Sequence, residues 1–402
     1  MNTLSTHLKR LLSKLRNESF FNYLSSLTSQ DGSLWRATKK ALKDKPSYSP
    51  LKKQDNTWAI DDLDKVETLK THLTEVFKPH VTTNNPAFYN EIDEFLSSPL
   101  QMSLPPKAFS PAEVQHYIST FPKRKAPGSD LITFKIAKNL PKKTIILLTY
   151  IFNATLRLTY FPLRWKSSII ILIPKPGKPP ESPSSYRPIS LLPFFSKVLE
   201  KLILKRINPI INNSETIPNT QFGFRNQHST IHQINRITDS IASALEKKQY
   251  CTAAFLDVAE AFDRVWHDGL LYKLKKILPP TFYLFFKSYL HERQFTVRYR
   301  SSLSDQSEIQ AGVPQGAIAA PLLFNIFIAD QPTSTNTLVA EYADDKAIIS
   351  THENPLIASN MLQNHLTQIE SWCKNWKSWR LILNENVCYE VWHLAIDHDI
   401  VM

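Results

Sequence analysis

The stretch LVAEYADDKAIIS, residues 338–350, sets two adjacent carboxylates, Asp344 and Asp345, between two short apolar runs. The runs favour strands and Asp favours turns, so the segment predicts a β-hairpin with the acidic pair at its tip. Neighbouring residues of a strand point to opposite faces, so the two carboxylates share one pocket only where the backbone turns beside them. An Asp pair standing alone would read as a solvated turn. A third acid stands 87 residues upstream of Asp344, where Asp257 closes the apolar run TAAFLD and opens VAEAFDRVWHDGLLYKL. Three carboxylates on neighbouring strands suit Mg2+, which takes hard oxygen ligands and keeps positions open for water and phosphate oxygens. Paired ions of this kind stabilise both the attacking and the leaving oxygen of an in-line displacement, so the trio points to phosphoryl chemistry.

Hydrophobic residues make up 42% of the chain and charged residues 21%, far from the pattern of disordered segments. Its 402 residues predict two or three packed units around more than one core. The formal charge is +12 and is concentrated: between residues 105 and 210, 18 Lys and Arg stand against four acids, Glu113, Asp130, Glu181 and Glu200. That block also carries strand and helix patterns, so it reads as a folded surface for a polyanion rather than a basic tail. Three scattered cysteines, Cys251, Cys373 and Cys388, suit neither a zinc site nor a disulfide framework and point to a reducing compartment. No apolar run reaches the roughly 20 residues of a membrane helix; the longest, AIAAPLLFNIFIA, contains Pro321 and Asn325. At the N-terminus, Leu4, Leu8, Leu11, Leu12 and Leu15 recur at helical spacing among basic residues. They predict an ordinary packed helix, with a transit peptide as the alternative.

Of the seven glycines, Gly128, Gly177, Gly223, Gly269, Gly312 and Gly316 fall inside the motifs quoted below; such sparing use marks turns or close backbone approaches. Residues 1–104 predict helices joined by polar loops and carry no recognisable chemistry. PAEVQHYISTF, ITFKIAKNL and TIILLTYIFNATLRL predict helices, and SSIIILIPKPGK a buried strand at 169–173 running into a basic Pro-Gly turn. A loop from 184 leads into the helix SKVLEKLILKRI, and another helix spans 229–247. The Asp257 strand is followed by a helix, FTVRYR predicts a strand, and GVPQG a turn into the apolar helix PLLFNIFIADQ. After the hairpin, NMLQNHLTQIESWCKNWKSW predicts a helix and LILN a short strand. Trp372, Trp376 and Trp379 recur at the spacing of a core stripe, base stacking being the alternative.

Seven segments now stand in one order: KAPGSD (125–130), IPKPGK (173–178), YRPISLLPFFSKVLEKLI (186–203), FGFRNQHST (222–230), LDVAEAFDRVWHDGLLYKL (256–274), AGVPQG (311–316) and YADD (342–345). Together they resemble the reverse transcriptases of non-LTR retrotransposons, LINE-type and jockey-like, over roughly residues 105–386. The resemblance implies an α+β fold, a right-hand polymerase with an antiparallel palm sheet packed with helices. Its expected divisions are a helical linker region at 1–104, fingers at 105–245, palm at 246–386 and a divergent tail at 387–402, with the thumb largely missing. It implies an RNA template, a DNA primer and dNTPs as partners, Mg2+ or Mn2+ as cofactor, and action in the nucleus. Carried over by motif, Asp257, Asp344 and Asp345 are the catalytic and metal-binding residues. Lys175 and Arg187 would grip the incoming triphosphate, Arg through a bidentate fork and Lys as a point charge. Phe262 would exclude a ribose 2′-OH, whereas the residues alone read it as a core aromatic beside Val265 and Trp266. Gln315, with Gly316 beside it, would lie under the template or the nucleotide, and Lys123, Arg124, Lys125 and Arg225 along the template.

Three departures from the family pattern involve four positions. Ala317 and Ala319 follow the PQG turn where a serine and a larger apolar residue are usual, Lys346 follows the acidic pair, and Val387 stands after LNEN where lysine is usual. These departures, with the expected lack of endonuclease and thumb regions, set a second hypothesis beside the polymerase: a catalytically silent nucleic-acid-binding remnant. A two-metal nuclease using the same acids is a third, which leaves Lys175, Arg187 and Phe262 without a purpose.

Overall fold

The computed structural model describes residues 2–41, 49–81, 85–122, 124–258, 260–378 and 391–394. The chain divides into two compact units, Met1–Ser49 and Pro50–Met402. The first holds α1 (Asn2–Ser25) and α2 (Ser33–Ala41). Here the sequence expectation fails: Leu8, Leu11, Leu12 and Leu15 are 46–61% exposed. At 1.5 Å per residue α1 is about 36 Å long and the nine-residue α2 about 13 Å, too short to cover its apolar stripe.

The second unit opens with a short hairpin, β1 (Leu51–Lys52) and β2 (Trp58–Ala59). The helices α3 (Asp62–Val76), α4 (Pro86–Ser97) and α5 (Pro111–Thr120) follow, started by Asp61, Asn85 and Ser110, whose side chains accept from backbone amides of the first turn. Around Ser110, Glu113 completes a reciprocal capping box. Next come α6 (Phe134–Ala137), α7 (Lys142–Arg157), α8 (Leu163–Lys166), β3 (Ser167–Pro174) and β4 (Tyr186–Leu191). The long α9 (Phe194–Asn213) and α10 (Thr230–Glu246) precede β5 (Tyr250–Leu256). Then α11 (His267–Ile277) and α12 (Pro280–Leu290) lead to β6 (Arg293–Tyr299), β7 (Ser302–Leu303) and β8 (Ser307–Ile309). The chain continues through α13 (Ala320–Ile328), β9 (Leu338–Tyr342), β10 (Asp345–His352), α14 (Pro355–Asn375) and β11 (Val391–Leu394).

Two sheets organise this unit. One is antiparallel, in the order β11-β5-β10-β9. Its residues alternate between faces, as the strand period requires: Ala254, Leu256 and Ile348 join the main core with Leu362, Leu366 and Ile369 of α14. Cys251, Ala253 and Ile349 pack with Ala244, Ile237 and Ile241 of α10 on the other face. The second sheet runs β4-β3-β6-β7 with β8 also on β6, and is mixed because β3 and β6 are parallel. Val66, Leu69 and Leu73 of α3 cover it against Ile170, Phe295 and Val297. Strand β6, from the 246–386 stretch, thus shares a sheet with β3, from the 105–245 stretch.

Four local expectations are corrected. Residues 186–191, expected as loop, form β4 and pair with β3. ITFKIAKNL supplies only the four-residue α6. The helix expected directly after Asp257 begins only at His267, because the carbonyls of Phe262 and Val265 accept from Val313 N and Gly312 N (2.8 Å each) instead of from the next helical turn. Helix α12 was not anticipated: Phe282, Tyr283, Phe285, Phe286, Tyr289 and Leu290 are all buried, and the outward face is marked in sequence by only three polar residues, Thr281, Lys287 and Ser288. The LILN strand, Val387, Cys388 and Trp379 lie outside the described residues. Trp372 and Trp376 are core residues at 6% exposure. Among the described residues no helix is long and apolar enough to cross a membrane.

Candidate active site

The acidic trio is assembled by strand register. β9 and β10 form a hairpin in which Tyr342 pairs with Asp345, leaving Ala343 and Asp344 as a two-residue turn. Ala343 has φ +60°, a positive φ at the first central position that suits the right-handed twist of the hairpin but that a side chain rarely adopts. β10 and β5 pair with Lys346 opposite Leu256, so Asp257, one residue on, comes level with Asp345. Both belong to the sheet face that carries Phe255 and Ala347, beside α10. There a recess of about 430 Å³ is lined by Asp257, Tyr342 and Asp345 with Gln233, Ile237 and Phe255.

Electrostatics bind the three together. Burial raises the Asp344 carboxyl above its ordinary value, and the negative fields of Asp345 and Asp257 add to the rise, while Arg187 opposes it. Asp345 is raised by desolvation and then by Asp257. Mutual repulsion of this kind is relieved by a cation, and the all-oxygen donor set suits Mg2+ or Mn2+. Among the described residues no three Asp, Glu, His or Cys side chains converge closely enough to cage an ion unaided. Mg2+ habitually takes only one or two carboxylates and completes its shell with water and phosphate oxygens.

The basic pair stands on the neighbouring sheet. Arg187 lies on β4 opposite Ile173 of β3, exposed and near enough to Asp344 to act on its ionisation. Lys175 follows β3 directly, where its Nζ donates to Ser184 O at 2.9 Å and its N–H to Ser185 O at 2.8 Å. Phe262 is half-buried: its ring stacks on Phe324 with centroids 4.2 Å apart, and Phe224 meets it edge-on at 5.9 Å. It is therefore packed against the core and also borders solvent. Gln315 donates from Nε2 to Asp263 Oδ2 at 2.7 Å, and its carbonyl accepts from Ser190 N at 2.7 Å. Gly316 has φ +116°, and a Cβ there would lie 2.6 Å from Ser190 O. Ala317 and Ala319 are buried. The turn they follow is anchored by Glu200, whose Oε2 accepts from Ile318 N at 2.6 Å and Ala319 N at 3.0 Å.

Of the four residues assigned to template, Lys123 lies outside the described residues, and Arg124 and Lys125 are exposed. Their loop is tied down by Asp130, which accepts from Phe194 N at the start of α9, and by Gly128, where a Cβ would lie 2.5 Å from Leu192 C. Arg225 is half-buried and donates from one Nη to Pro218 O and Gln221 O at 3.0 and 3.1 Å, holding its own loop together.

Three further residues were not singled out from the sequence. Asp263 is buried under Gln315, and burial pushes it up to about 8, with Glu260 adding to the rise. Glu200 is a buried carboxylate at the entry to α13. Gln221 reaches the turn of the β9–β10 hairpin and bonds both sides of the Ala343 residue. Position was the available signal: Glu200 lies inside YRPISLLPFFSKVLEKLI, Asp263 inside LDVAEAFDRVWHDGLLYKL, and Gln221 one residue ahead of FGFRNQHST.

A carboxylate trio at a hairpin tip and strand end, with Arg187 of the second sheet near enough to act on Asp344, is an oxygen-donor set of the kind that suits metal-assisted phosphoryl transfer. The family described as "Reverse transcriptase (RNA-dependent DNA polymerase)" matches residues 173–391, more than half of the chain. The "RNA-directed DNA polymerase from mobile element jockey" of Drosophila melanogaster is 40% identical over 367 residues, covering 89% of this chain and 40% of that protein. The "Probable RNA-directed DNA polymerase from transposon BS" of the same species is 40% identical over 386 residues, 93% of this chain and 42% of that protein. That from transposon X-element is 39% identical, over 89% and 40%. The chain belongs to the reverse transcriptase family, and it spans about two-fifths of the length of the curated relatives it matches.

Proposed function

We propose that the chain carries the polymerase core of a non-LTR retrotransposon's RNA-directed DNA polymerase, adding deoxynucleotides to a primer 3′-OH on an RNA template. The β11-β5-β10-β9 sheet with α10 and α14 would be its palm, and β3, β4 and α9 the core of its fingers. The observation that carries this reading is the register that sets Asp257 beside Asp345 with Asp344 in the adjoining turn, under the field of Arg187.

Asp257, Asp344 and Asp345 would hold Mg2+ or Mn2+, which when bound lowers the pKa of the attacking hydroxyl and neutralises charge on the pyrophosphate leaving group. Lys175 and Arg187 bind the triphosphate from the second sheet. Phe262 presents a ring edge against the sugar, its plane fixed by Phe324, and excludes a 2′-OH by clash. Gln315 and Gly316 form a floor whose backbone approaches closely because no Cβ intervenes. Arg124 and Lys125, with Lys123 and Arg225, neutralise template phosphates, so affinity falls as salt rises.

The test is primer extension on poly(rA)/oligo(dT) with Mg2+ or Mn2+ and labelled dTTP, beside an Asp344→Ala/Asp345→Ala variant. Extension by the wild type alone supports the reading. No extension by either protein, with salt-sensitive RNA binding retained, leaves a binding remnant.

A further inference from the structure

The hairpin that carries the acidic pair is held from outside its own sheet. Gln221 is 1% exposed, and its side-chain amide spans the turn: Nε2 donates to Ala343 O at 3.1 Å, and Oε1 accepts from Ala343 N at 2.9 Å. The same Oε1 accepts from Gly223 N at 2.7 Å. Both polar groups of one residue of the turn are therefore satisfied by one side chain, and that residue is the alanine at φ +60°.

The surroundings fix Gln221 in turn. Phe222 N donates to Glu341 O at 2.9 Å and Glu341 N to Thr220 O at 3.1 Å, so the 220–222 segment lies along β9 like an extra short strand. Gln233 Nε2 bonds Thr220 O and Glu341 O at 2.7 Å each, closing the seam. Gly223 leaves room: a Cβ there would stand 2.2 Å from Ala343 N. Its carbonyl accepts from Asn325 Nδ2 of α13 at 2.9 Å.

Resting on the polymerase reading above, we infer that Gln221 is a positioning residue: it clamps the Ala343 peptide in its left-handed conformation and thereby aims Asp344 at the metal. A short hydrogen-bonding side chain in the turn itself would do this locally, but Ala343 offers none. The clamp is supplied from a loop more than 100 residues away in sequence. Because Gln221 touches only backbone of the turn, it acts on geometry and not on the charge of the site.

The clamp makes a specific demand. Glycine adopts positive φ without a Cβ penalty, so Ala343→Gly should remove the need for the clamp. The test compares the wild type, Gln221→Met and Gln221→Met/Ala343→Gly by Mn2+ binding to the protein alone, read by electron paramagnetic resonance, and by primer extension. Gln221→Met should weaken Mn2+ binding at least tenfold and lower kcat more than tenfold, with KM for dTTP changed less than threefold. The double variant should return both to within threefold of the wild type. Wild-type Mn2+ affinity in Gln221→Met overturns the inference, as does a loss that Ala343→Gly leaves unrecovered, which would mark general damage to packing. A wild type that binds no Mn2+ overturns it too. The polymerase reading fails differently: no primer is extended by any of the three, while Mn2+ affinity still follows the clamp.

Discussion

Lys346 Nζ lies 2.5 Å from Glu341 Oε1, the two residues facing each other across β10 and β9 with side chains 7% and 6% exposed. Lys346 also donates to Gln331 Oε1. The cation next to the acidic pair therefore spends its charge on the opposite face of the sheet from Asp257 and Asp345, and Glu341 is anchored again by Thr220 Oγ1 at 3.2 Å.

Removing one partner of such a pair strands the other in the core. Glu341→Gln should cost about 3–5 kcal/mol of folding stability, and Glu341→Gln/Lys346→Met should cost distinctly less. Urea unfolding of the two variants beside the wild type measures both numbers; equal losses would show that the pair is not coupled.

Stability should also depend on pH through Asp263. Its folded value of about 8 lies far above the ordinary 3.8, so its contribution is fully present below about 4 and is lost as pH rises to 8. His267, 2.9 Å from Gly312 O, works the other way: burial lowers it to about 4, and its contribution is lost as pH falls from 6.5 to 4. The two oppose each other at acid pH. Between pH 6.5 and 8 Asp263 prevails, and stability should fall by up to about 1.4 kcal/mol per pH unit. Denaturation curves across this range should show that fall in the wild type and a flatter profile in Asp263→Asn.

Gly316→Ala combines a φ of +116° with a Cβ 2.6 Å from Ser190 O. The backbone at the proposed nucleotide floor must move, because Ser190 O is a main-chain atom and not the end of a flexible side chain. Primer extension should fall at least tenfold. Thermal unfolding should shift by no more than a few degrees, because Gly316 itself is exposed.

Phe262→Val should admit ribonucleotides. The ratio of kcat/KM for dTTP over UTP is expected to drop at least tenfold. Loss of the stacked contact with Phe324 should also cost about 1–3 kcal/mol, read in the same preparations by urea unfolding. An unchanged ratio would assign Phe262 to the core alone.

How much of this was legible depends on the range of the interactions involved. The Asp344 hairpin, the Asp257 strand, α9, α10 and α14 were visible because local propensity and period agree with the final fold. β4 was missed because Pro188 interrupts an otherwise strand-like run, and only its pairing with β3 overrides that signal. The segment after Asp257 has helical amphipathicity, yet its carbonyls are captured by residues 312 and 313, a contact no local window contains. The same holds within the site. The carboxylates and basic residues announce themselves by type and motif, whereas Gln221 and Glu200 matter through backbone atoms of the residues they hold and Asp263 through the Gln315 side chain, and those pairings exist only in three dimensions.

Parallel pairing of β3 with β6 has a consequence for synthesis. β3 ends at Pro174 and β6 begins at Arg293, so one edge of β3 leaves the ribosome about 120 residues before its partner. At the roughly 5–20 residues per second of translation, that edge waits about 6 to 24 seconds, its amides and carbonyls unpaired beside apolar Ile170. Nascent chains are vulnerable in that interval to pairing with one another. Cellular yield should therefore respond to chaperone supply and to the pace of elongation across residues 175–292.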